Sequence, residues 1–265
     1  MILSVVIITH NEEVNIGRTL ASVQTLVTDG KGEIIVVDSG STDRTVEIAK
    51  SYGAKVFVEE WKGFAAQKNS AIDKAKGDWI LSLDADEELS DGLTKEVEEI
   101  CHGPAEDGFG SEDGYWLKRQ NHFLGRALRH GGFWPDPKLR MFRRGMGRVE
   151  TRPVHETFQV TGRLGTLYDP LIHHSYPTLA DYIDHMNRHS SLGAEMAAAK
   201  GHQGFSLFNI IIRPWATFTY NYIFRLGFLD GREGLLLHLY HAVYVSWKYA
   251  KAWELSRKKW RSGDP

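Results

Sequence analysis

Two aspartates, Asp84 and Asp86, stand two residues apart directly after the apolar run 79–83. Side chains alternate between the two faces of an extended strand, so this spacing directs both carboxylates to one side where the strand ends. Paired carboxylates supply the hard oxygen ligands that Mg²⁺ or Mn²⁺ takes, and phosphate oxygens of a bound ligand commonly complete the coordination. Open α/β sheets also bind nucleotides at the carboxyl ends of their strands. The pair therefore predicts a metal-dependent nucleotide site.

A further acidic residue, Asp38, ends the apolar run 34–37. Its carboxylate is placed to accept hydrogen bonds from a nucleotide base or from ribose hydroxyls. The residues after it have a structural alternative, because Ser41 or Thr42 is a favoured helix N-cap and Asp43 stabilises a helix N-terminus. The chain has no G-x-G-x-x-G after its first apolar run and no G-x-x-x-x-G-K-[ST], which argues against a dinucleotide oxidoreductase and a P-loop NTPase.

The elements that must position these side chains are strands alternating with helices. Short runs rich in β-branched residues predict strands, and apolar residues at helical spacing predict the helices between them. This alternation is typical of βαβ units and a mainly parallel sheet, hence of an α/β fold. The strands are predicted at 2–8, 34–37, 55–58 and 79–83, and the helices at 15–27, around 46–49, and at 65–75.

Composition limits the classes of function that the chain can have. With 265 residues, 42% of them hydrophobic, it can bury the core of one large domain or of a domain with an appendage. The formal net charge of −2 argues against general nucleic-acid binding, which needs a broad positive field. Cys101 is the only cysteine, so an intrachain disulfide and a thiolate zinc cluster are both excluded, in keeping with a reducing cytoplasm.

Three blocks carry a resemblance to a known family. They are residues 4–13 (SVVIITHNEE), 35–45 (IVVDSGSTDRT) and 83–87 (LDADE), in that order. Together they resemble the family 2 glycosyltransferases. Residues 61–69 (WKGFAAQKN) resemble the branch that contains bacterial lipopolysaccharide-core β-glucosyltransferases. The resemblance implies a GT-A fold with a Rossmann-like, mainly parallel sheet, a nucleotide-sugar donor, Mn²⁺ or Mg²⁺ as cofactor, and inversion at the anomeric carbon.

The resemblance also implies roles for particular residues. Asp38 would face the base, Lys68 would approach the donor phosphates, and Asp84 would face the ribose or the metal. Asp86 would bind the metal directly, and the metal would neutralise the charge left on the departing nucleotide diphosphate. The residues expected to line the nucleotide-sugar pocket are Thr9, Asn11, Glu12, Asp38, Lys68 and Asp84.

Inversion in one step needs a general base that deprotonates the acceptor hydroxyl. Glu156, in a Val-His-Glu block that resembles the same branch, is the first candidate, with His155 orienting the substrate or the base. Asp136, between two prolines, is the competing candidate, and the role of an ordinary turn residue is equally open for it.

His173 is a candidate third metal ligand from the C-terminal half of the chain, as in GT-A enzymes, with a structural role as the alternative. Three arginines, Arg140, Arg143 and Arg144, lie close together before it. Strand alternation places Arg140 on the opposite face from Arg143, so at most part of this set faces a cleft. Binding of a diphosphate or an anionic acceptor and simple exposure to solvent are both open for these guanidinium groups.

The chain is predicted to divide into a catalytic domain, residues 1–178, and a helical C-terminal region, residues 179–265. Within the first, residues 1–100 would form the nucleotide-sugar half and residues 115–178 the acceptor half. Apolar stretches in the tail are interrupted before they reach the roughly 20 residues that span a bilayer. Their mixture of aromatic and basic residues favours amphipathic helices at an anionic membrane surface, with packing on the catalytic domain or on a partner subunit as the alternative.

These features predict a metal-dependent inverting glycosyltransferase that is peripheral on the inner, cytoplasmic face of the membrane. It would move a hexose, with glucose from UDP-glucose as the first choice, to a lipopolysaccharide-core or other lipid-linked glycan. One alternative is transfer to polyprenyl phosphate, an acceptor that needs no strong base. Another is a non-catalytic nucleotide-sugar-binding subunit, against which the intact aspartate pair speaks.

Overall fold

The computed structural model describes residues 2–102, 111–150, 157–202 and 204–262. The helices are α1 (Ile16–Val27), α2 (Thr45–Ser51), α3 (Phe64–Lys74), α4 (Asp91–His102), α5 (Leu179–Ala199), α6 (Arg213–Thr219) and α7 (Gly231–Ser262). The strands are β1 (Leu3–Thr9), β2 (Gly32–Asp38), β3 (Lys55–Val58), β4 (Trp79–Asp84), β5 (Glu87–Leu89), β6 (Gly114–Phe123), β7 (Arg126–Ala127), β8 (Asp136–Arg143), β9 (Gly147–Glu150), β10 (Thr157–Val160) and β11 (Leu164–Tyr176).

The central sheet has the strand order β3-β2-β1-β4-β8-β6-β11-β5. Its first four strands are parallel, as the alternation of strands and helices predicts. The later pairs β4–β8, β8–β6 and β11–β5 are antiparallel. Thr9 lies beside Asp38 and Ile8 beside Asp84, so three parallel strands end together at one edge of the sheet.

Both faces of the parallel strands β1, β2 and β4 are buried, which explains why their sequences are largely apolar. On one face, Ile7 and Val36 pack with Leu20 of α1 and Leu93 of α4. On the other face, Val6 and Ile35 pack with residues of α3 and with Phe142 of β8. The two apolar clusters, one on each face of the sheet, position the strand ends and the polar side chains at that edge.

The chain departs from the predicted pattern immediately after β4. Ala85 and Asp86 form a turn, and β5 and α4 follow it. The strand alternation expected to aim Asp84 and Asp86 in one direction therefore stops at Asp84. A buried turn of this kind has little local signature in the sequence, because Ala85 is neither glycine nor proline.

The chain divides into two compact units. The first consists of Met1–Gln120 and Asp136–His173, and the second consists of Asn121–Pro135 and His174–Pro265. The predicted boundary at residue 178 stays a prediction. The observed division differs from it in assigning residues 121–135 to the helical unit.

In the second unit, α5 packs against α7 through Ala194 and Ala197 on one helix and Val245 and Tyr249 on the other. A capping box at Thr178 begins α5. None of the helices within the described residues is both long and apolar enough to cross a membrane.

Candidate active site

Asp84, the last residue of β4, is held between two cations. Lys68 Nζ of α3 lies 2.7 Å from Asp84 Oδ1, and Arg140 Nη2 of β8 lies 2.5 Å from Oδ2. Burial alone would raise the pKa of Asp84, but Arg140 and Lys68 outweigh it and hold this pKa well below its usual range. Asp84 is therefore ionised, and both of its oxygens already have cationic partners.

Glu87 extends this arrangement into an ion network. Its carboxylate is fully buried and accepts from Arg140 Nη2 at 2.8 Å and from the backbone N–H of Asp84 at 2.9 Å. Arg119 Nη1 lies 3.4 Å from the same carboxylate. Because opposite charges alternate through these contacts, each buried ion has a counter-ion, which is the condition under which buried charges are tolerated. No role was predicted for Glu87, although an acidic residue next to a predicted metal aspartate was a usable signal.

Asp136, the competing base candidate, is the first residue of β8 and belongs to the same network. Arg119 Nη2 lies 2.7 Å from its Oδ2, and Lys138 Nζ lies 3.0 Å from its Oδ1. Burial raises its pKa, but Arg119 and Lys138 reverse the sign and lower it. A carboxylate so stabilised is a weak proton acceptor, and this geometry disfavours Asp136 as the base. The first candidate, Glu156, and its neighbour His155 lie outside the described residues.

Asp86 lies in a different electrostatic environment. Within the described part of the chain, Asp86 is paired with His173 of β11, whose Nε2 lies 3.2 Å from Asp86 Oδ2. Among the described residues, no group of three or more histidine, cysteine, aspartate or glutamate side chains is assembled around one metal position. The predicted trio of Asp84, Asp86 and His173 is thus not gathered. The structure brings together Asp86 and His173, while Asp84 is bound to Lys68 and Arg140.

The pKa of Glu12, which lies near Asp86, is raised. Burial raises the pKa of Glu12, and the charges of Asp86, Asp43 and Asp84 raise it further, against a hydrogen bond from Asn15 that lowers it. Burial is the main cause of the raised pKa of Glu12, and the nearby carboxylates add to it.

Two predicted nucleotide residues, Asn11 and Asp38, hold the loops after β1 and β2, and Asn11 joins the two loops. Asn11 adopts a left-handed conformation at φ 55°, which asparagine tolerates, and its Oδ1 accepts from the backbone of Thr42 at 2.8 Å. Asp38 accepts from the backbone N–H groups of Gly40 at 2.9 Å and Ser41 at 2.8 Å, and also from the Ser41 hydroxyl. The Asp38 carboxylate thus organises its own loop.

Three other polar side chains near these strand ends are buried with unsatisfied atoms. The Thr9 hydroxyl, the Ser39 hydroxyl and the Gln67 amide have no hydrogen-bond partner within the described chain. Thr9 and Ser39 are neighbours, since the Ser39 N–H donates to the Thr9 carbonyl at 2.9 Å, and Gln67 precedes Lys68 on α3. A buried unsatisfied polar group costs about 1–3 kcal/mol, so such groups indicate a ligand position more strongly than satisfied ones do.

A cavity of about 360 Å³ opens beside Asp84. The Lys68 ammonium and the Arg140 guanidinium lie 5.9 and 6.0 Å from the centre of the Phe158 ring at its wall. The Arg140 Nε is a buried donor with no partner in the described part of the chain. The cavity combines aromatic surface, which suits a sugar ring, with cations, which suit phosphate or carboxylate groups. Its main charged and aromatic lining residues are Lys68, Asp84, Trp116, Arg119, Lys138, Arg140 and Phe158.

The three clustered arginines separate as strand alternation predicts. Arg140 is buried in the network, whereas Arg143 stacks on the Trp79 ring at 4.5 Å. Arg144 donates from Nε to the carbonyl of Gly77 at 2.9 Å. Of this set, Arg140 reaches the cavity.

Parallel strands ending in acidic and polar side chains, followed by antiparallel strands, define a GT-A type nucleotide-sugar transferase fold. Residues 4–147 match the family described as glycosyl transferase family 2. The chain belongs to this family. The predicted family, fold and enzyme class are thereby confirmed.

Relatives extend the similarity beyond the matched region. The chain is 31% identical to an uncharacterised glycosyltransferase of Rickettsia typhi over 97% of its length and 88% of that protein. It is 29% identical to LpsC, a lipopolysaccharide core biosynthesis glycosyltransferase of Rhizobium meliloti, over 95% of the chain and 92% of LpsC. The mannosyltransferase PcManGT from Pyrobaculum calidifontis, solved with GDP-Man and Mn²⁺, shares the fold at a TM-score of 0.51 and 17% identity, with 99% of this chain and 87% of that chain covered.

Proposed function

We propose that this glycosyltransferase is a metal-dependent, inverting enzyme that transfers a hexose, with glucose from UDP-glucose as the first choice, to a lipopolysaccharide-core or other lipid-linked glycan. The observation that carries the proposal is the contrast at the end of β4. Asp86 lies near His173 and is close enough to Glu12 to raise its pKa, whereas a cationic cavity adjoins Asp84. A divalent cation bound to a sugar diphosphate complements both surfaces. The similarity to LpsC supports the class of acceptor.

Asp86 and His173 fit a divalent metal. A carboxylate oxygen and an imidazole nitrogen are ligands that Mn²⁺ accepts, and diphosphate oxygens would complete the set. The metal would neutralise the charge that develops on the leaving nucleotide diphosphate. Lys68 and Arg140, held in place by Asp84, would bind phosphate or sugar oxygens from the cavity side.

The nucleotide would lie over the ends of β1 and β2. There the unsatisfied hydroxyls of Thr9 and Ser39 and the amide of Gln67 offer hydrogen bonds to a base and a ribose. Asp38 would act mainly by holding its loop, with its backbone available to the base. Since PcManGT was solved with a guanosine nucleotide, the choice of uridine must be tested directly.

Glu156 remains the proposed base, because Arg119 and Lys138 lower the pKa of Asp136 and make it a weak proton acceptor. If the acceptor is polyprenyl phosphate instead, no strong base is needed and the cations of the cavity would bind its phosphate. Replacing Glu156 by Gln distinguishes the two acceptors. Loss of turnover with donor binding retained supports a hydroxyl acceptor, and unchanged turnover supports a phosphate acceptor.

We further propose that the enzyme is peripheral on the cytoplasmic face of the membrane, where a lipid-linked acceptor is reached. The aromatic and basic residues of the C-terminal region support this location.

Calorimetry with UDP, GDP, CMP and dTDP, each with and without Mn²⁺, tests the donor site. We expect selective binding of UDP that requires the metal, and multiple turnover of UDP-glucose when acceptor is present. Binding of GDP in place of UDP would retain the site and replace the donor. Metal-dependent binding without turnover on any lipopolysaccharide-core acceptor would favour a non-catalytic subunit.

A further inference from the structure

The second unit carries an apolar surface that its own core leaves uncovered. Residues 208–224 form one helical run, with π-helical turns at Phe208–Ile212 and Tyr220–Phe224 on either side of α6. Large exposed apolar side chains recur along it at positions 208, 211, 215, 220 and 223–224, close to the spacing of a single helix face. Trp215 is 66% exposed and Phe224 is 73% exposed. The face, called here the apolar ridge, consists of Phe208, Ile211, Trp215, Tyr220, Ile223 and Phe224.

The opposite face of the same run is already packed. Ile210 packs against the cluster that joins α5 and α7, and its carbonyl accepts from the Ser246 hydroxyl at 2.9 Å. Arg213 stacks over the Tyr249 ring at 4.9 Å, and Pro214 is buried. The run is therefore anchored by its inner face, and the apolar ridge is not needed to hold it on the unit.

Charge and composition indicate what covers the ridge. Residues 205–229 contain eight aromatic residues, two arginines and no aspartate or glutamate, although the whole chain has a formal net charge of −2. Aromatic side chains favour the boundary between lipid head groups and acyl chains. Arg225, exposed at the C-terminal end of the ridge, is placed to meet anionic head groups. A second copy of the chain is a poorer occupant, because a two-fold interface would set one such acid-free face against another.

We infer that the apolar ridge inserts into the interfacial layer of an anionic bilayer, with the helical run lying in the membrane plane. At 17 residues the run is about 25 Å long, which is shorter than the roughly 30 Å hydrocarbon core of a bilayer. The purpose of this attachment rests on the proposed function, since it brings the enzyme to a lipid-linked acceptor. The observations behind it are independent of the donor site.

The test is flotation of the full-length protein with vesicles of phosphatidylethanolamine and phosphatidylglycerol. We expect the wild type to float and the double variant Trp215→Ser/Phe224→Ser to bind about 100-fold more weakly, because each large side chain contributes roughly tenfold to transfer. The matched control is Tyr168→Ser, which removes an aromatic that is 68% exposed in the first unit and is expected to float like the wild type. A wild type that stays unbound, or equal flotation of all three proteins, overturns the inference.

Two further measurements fix the mode of binding. Brominated lipids should quench the tryptophan fluorescence of the wild type more than that of Trp215→Phe, which keeps the ridge apolar and should still float. A wild type that sediments as a dimer without lipid, and becomes a monomer in the double variant, would show that a second copy covers the ridge instead. Metal-dependent UDP binding, measured on the same proteins, reports on the proposed function separately.

Discussion

The two sides of the turn after β4 differ in how their charges are balanced. On one side, Asp84 and Glu87 are matched by Lys68, Arg140 and Arg119 in contacts of 2.5–3.4 Å. On the other side, burial raises the pKa of Glu12, and the charges of nearby Asp86, Asp43 and Asp84 raise it further. Asp84 and Asp86, two residues apart in the sequence, thus have different charged partners. On the matched side, that of Asp84 and Glu87, the charges are balanced within the protein, whereas on the unmatched side the charge of Glu12 is disfavoured.

The substitution Asp86→Asn tests the difference between the two sides with the largest expected effect. Because Asp86 has no part in the matched network, we expect turnover to fall about 1000-fold or more while the melting temperature stays the same or rises. Steady-state kinetics with Mn²⁺ and thermal unfolding measure the two effects. Asp73→Asn, which removes a surface pair with Arg148 at 2.7 Å, serves as the control and should change neither. Retained turnover in Asp86→Asn would rule out the proposed metal role.

Glu87→Gln probes the matched side. This substitution keeps the shape of the side chain but removes the fully buried negative charge that Arg140 and Arg119 share, leaving Asp84 and Asp136 as their counter-ions, so we expect a loss of about 3 kcal/mol in the free energy of unfolding. Chemical denaturation measures it. The control Glu98→Gln, in an exposed pair with Lys31, should cost less than about 1 kcal/mol. Equal costs for the two variants would show that burial of the network contributes nothing.

Lys68→Met tests a residue of the matched side that also lines the cavity. Its ammonium pairs with Asp84 and lines the cavity, so we expect KM for the donor to rise about tenfold, with a smaller change in kcat. Initial rates over a range of donor concentrations measure it, and Lys31→Met is the control. A change confined to KM for the acceptor would reassign Lys68 to the acceptor site.

The smallest expected effect is on stability, in Glu12→Gln without metal. The folded-state pKa of Glu12 lies above the unfolded value, so the folded state holds the proton more tightly and the wild type loses stability as pH rises through the interval between the two. The variant avoids this loss and should melt about 1–3 °C higher at neutral pH, with no advantage at pH values below the ordinary carboxyl range. Melting curves across pH check this, and Glu47→Gln, on an exposed helix pair, should give no such gain. A variant that melts lower at neutral pH would show that Glu12 is not electrostatically disfavoured.

Much of the parallel half was accessible from the sequence because its signals are local. Runs such as 34–37 and 79–83 are apolar on both faces only if helices cover both faces, and the observed β2 and β4 contain them. The strand β5, the helix α4 and the antiparallel β11 were not predicted. The exposed polar positions of β11 follow no simple alternation, since its pairing is set by distant partners.

By itself, the sequence determined the family, the parallel strands and the presence of aspartates at a strand end, since each depends on residues close together in the chain. Only the tertiary structure decided which carboxylates are matched. Glu87, Arg119 and Arg140 are separated by 32 and 21 positions, and their charges meet only when β8 and β6 take their places in the sheet. The pKa of a carboxyl group depends on burial and on the charges around it in three dimensions, so Asp84 and Asp86, two residues apart, end in different environments.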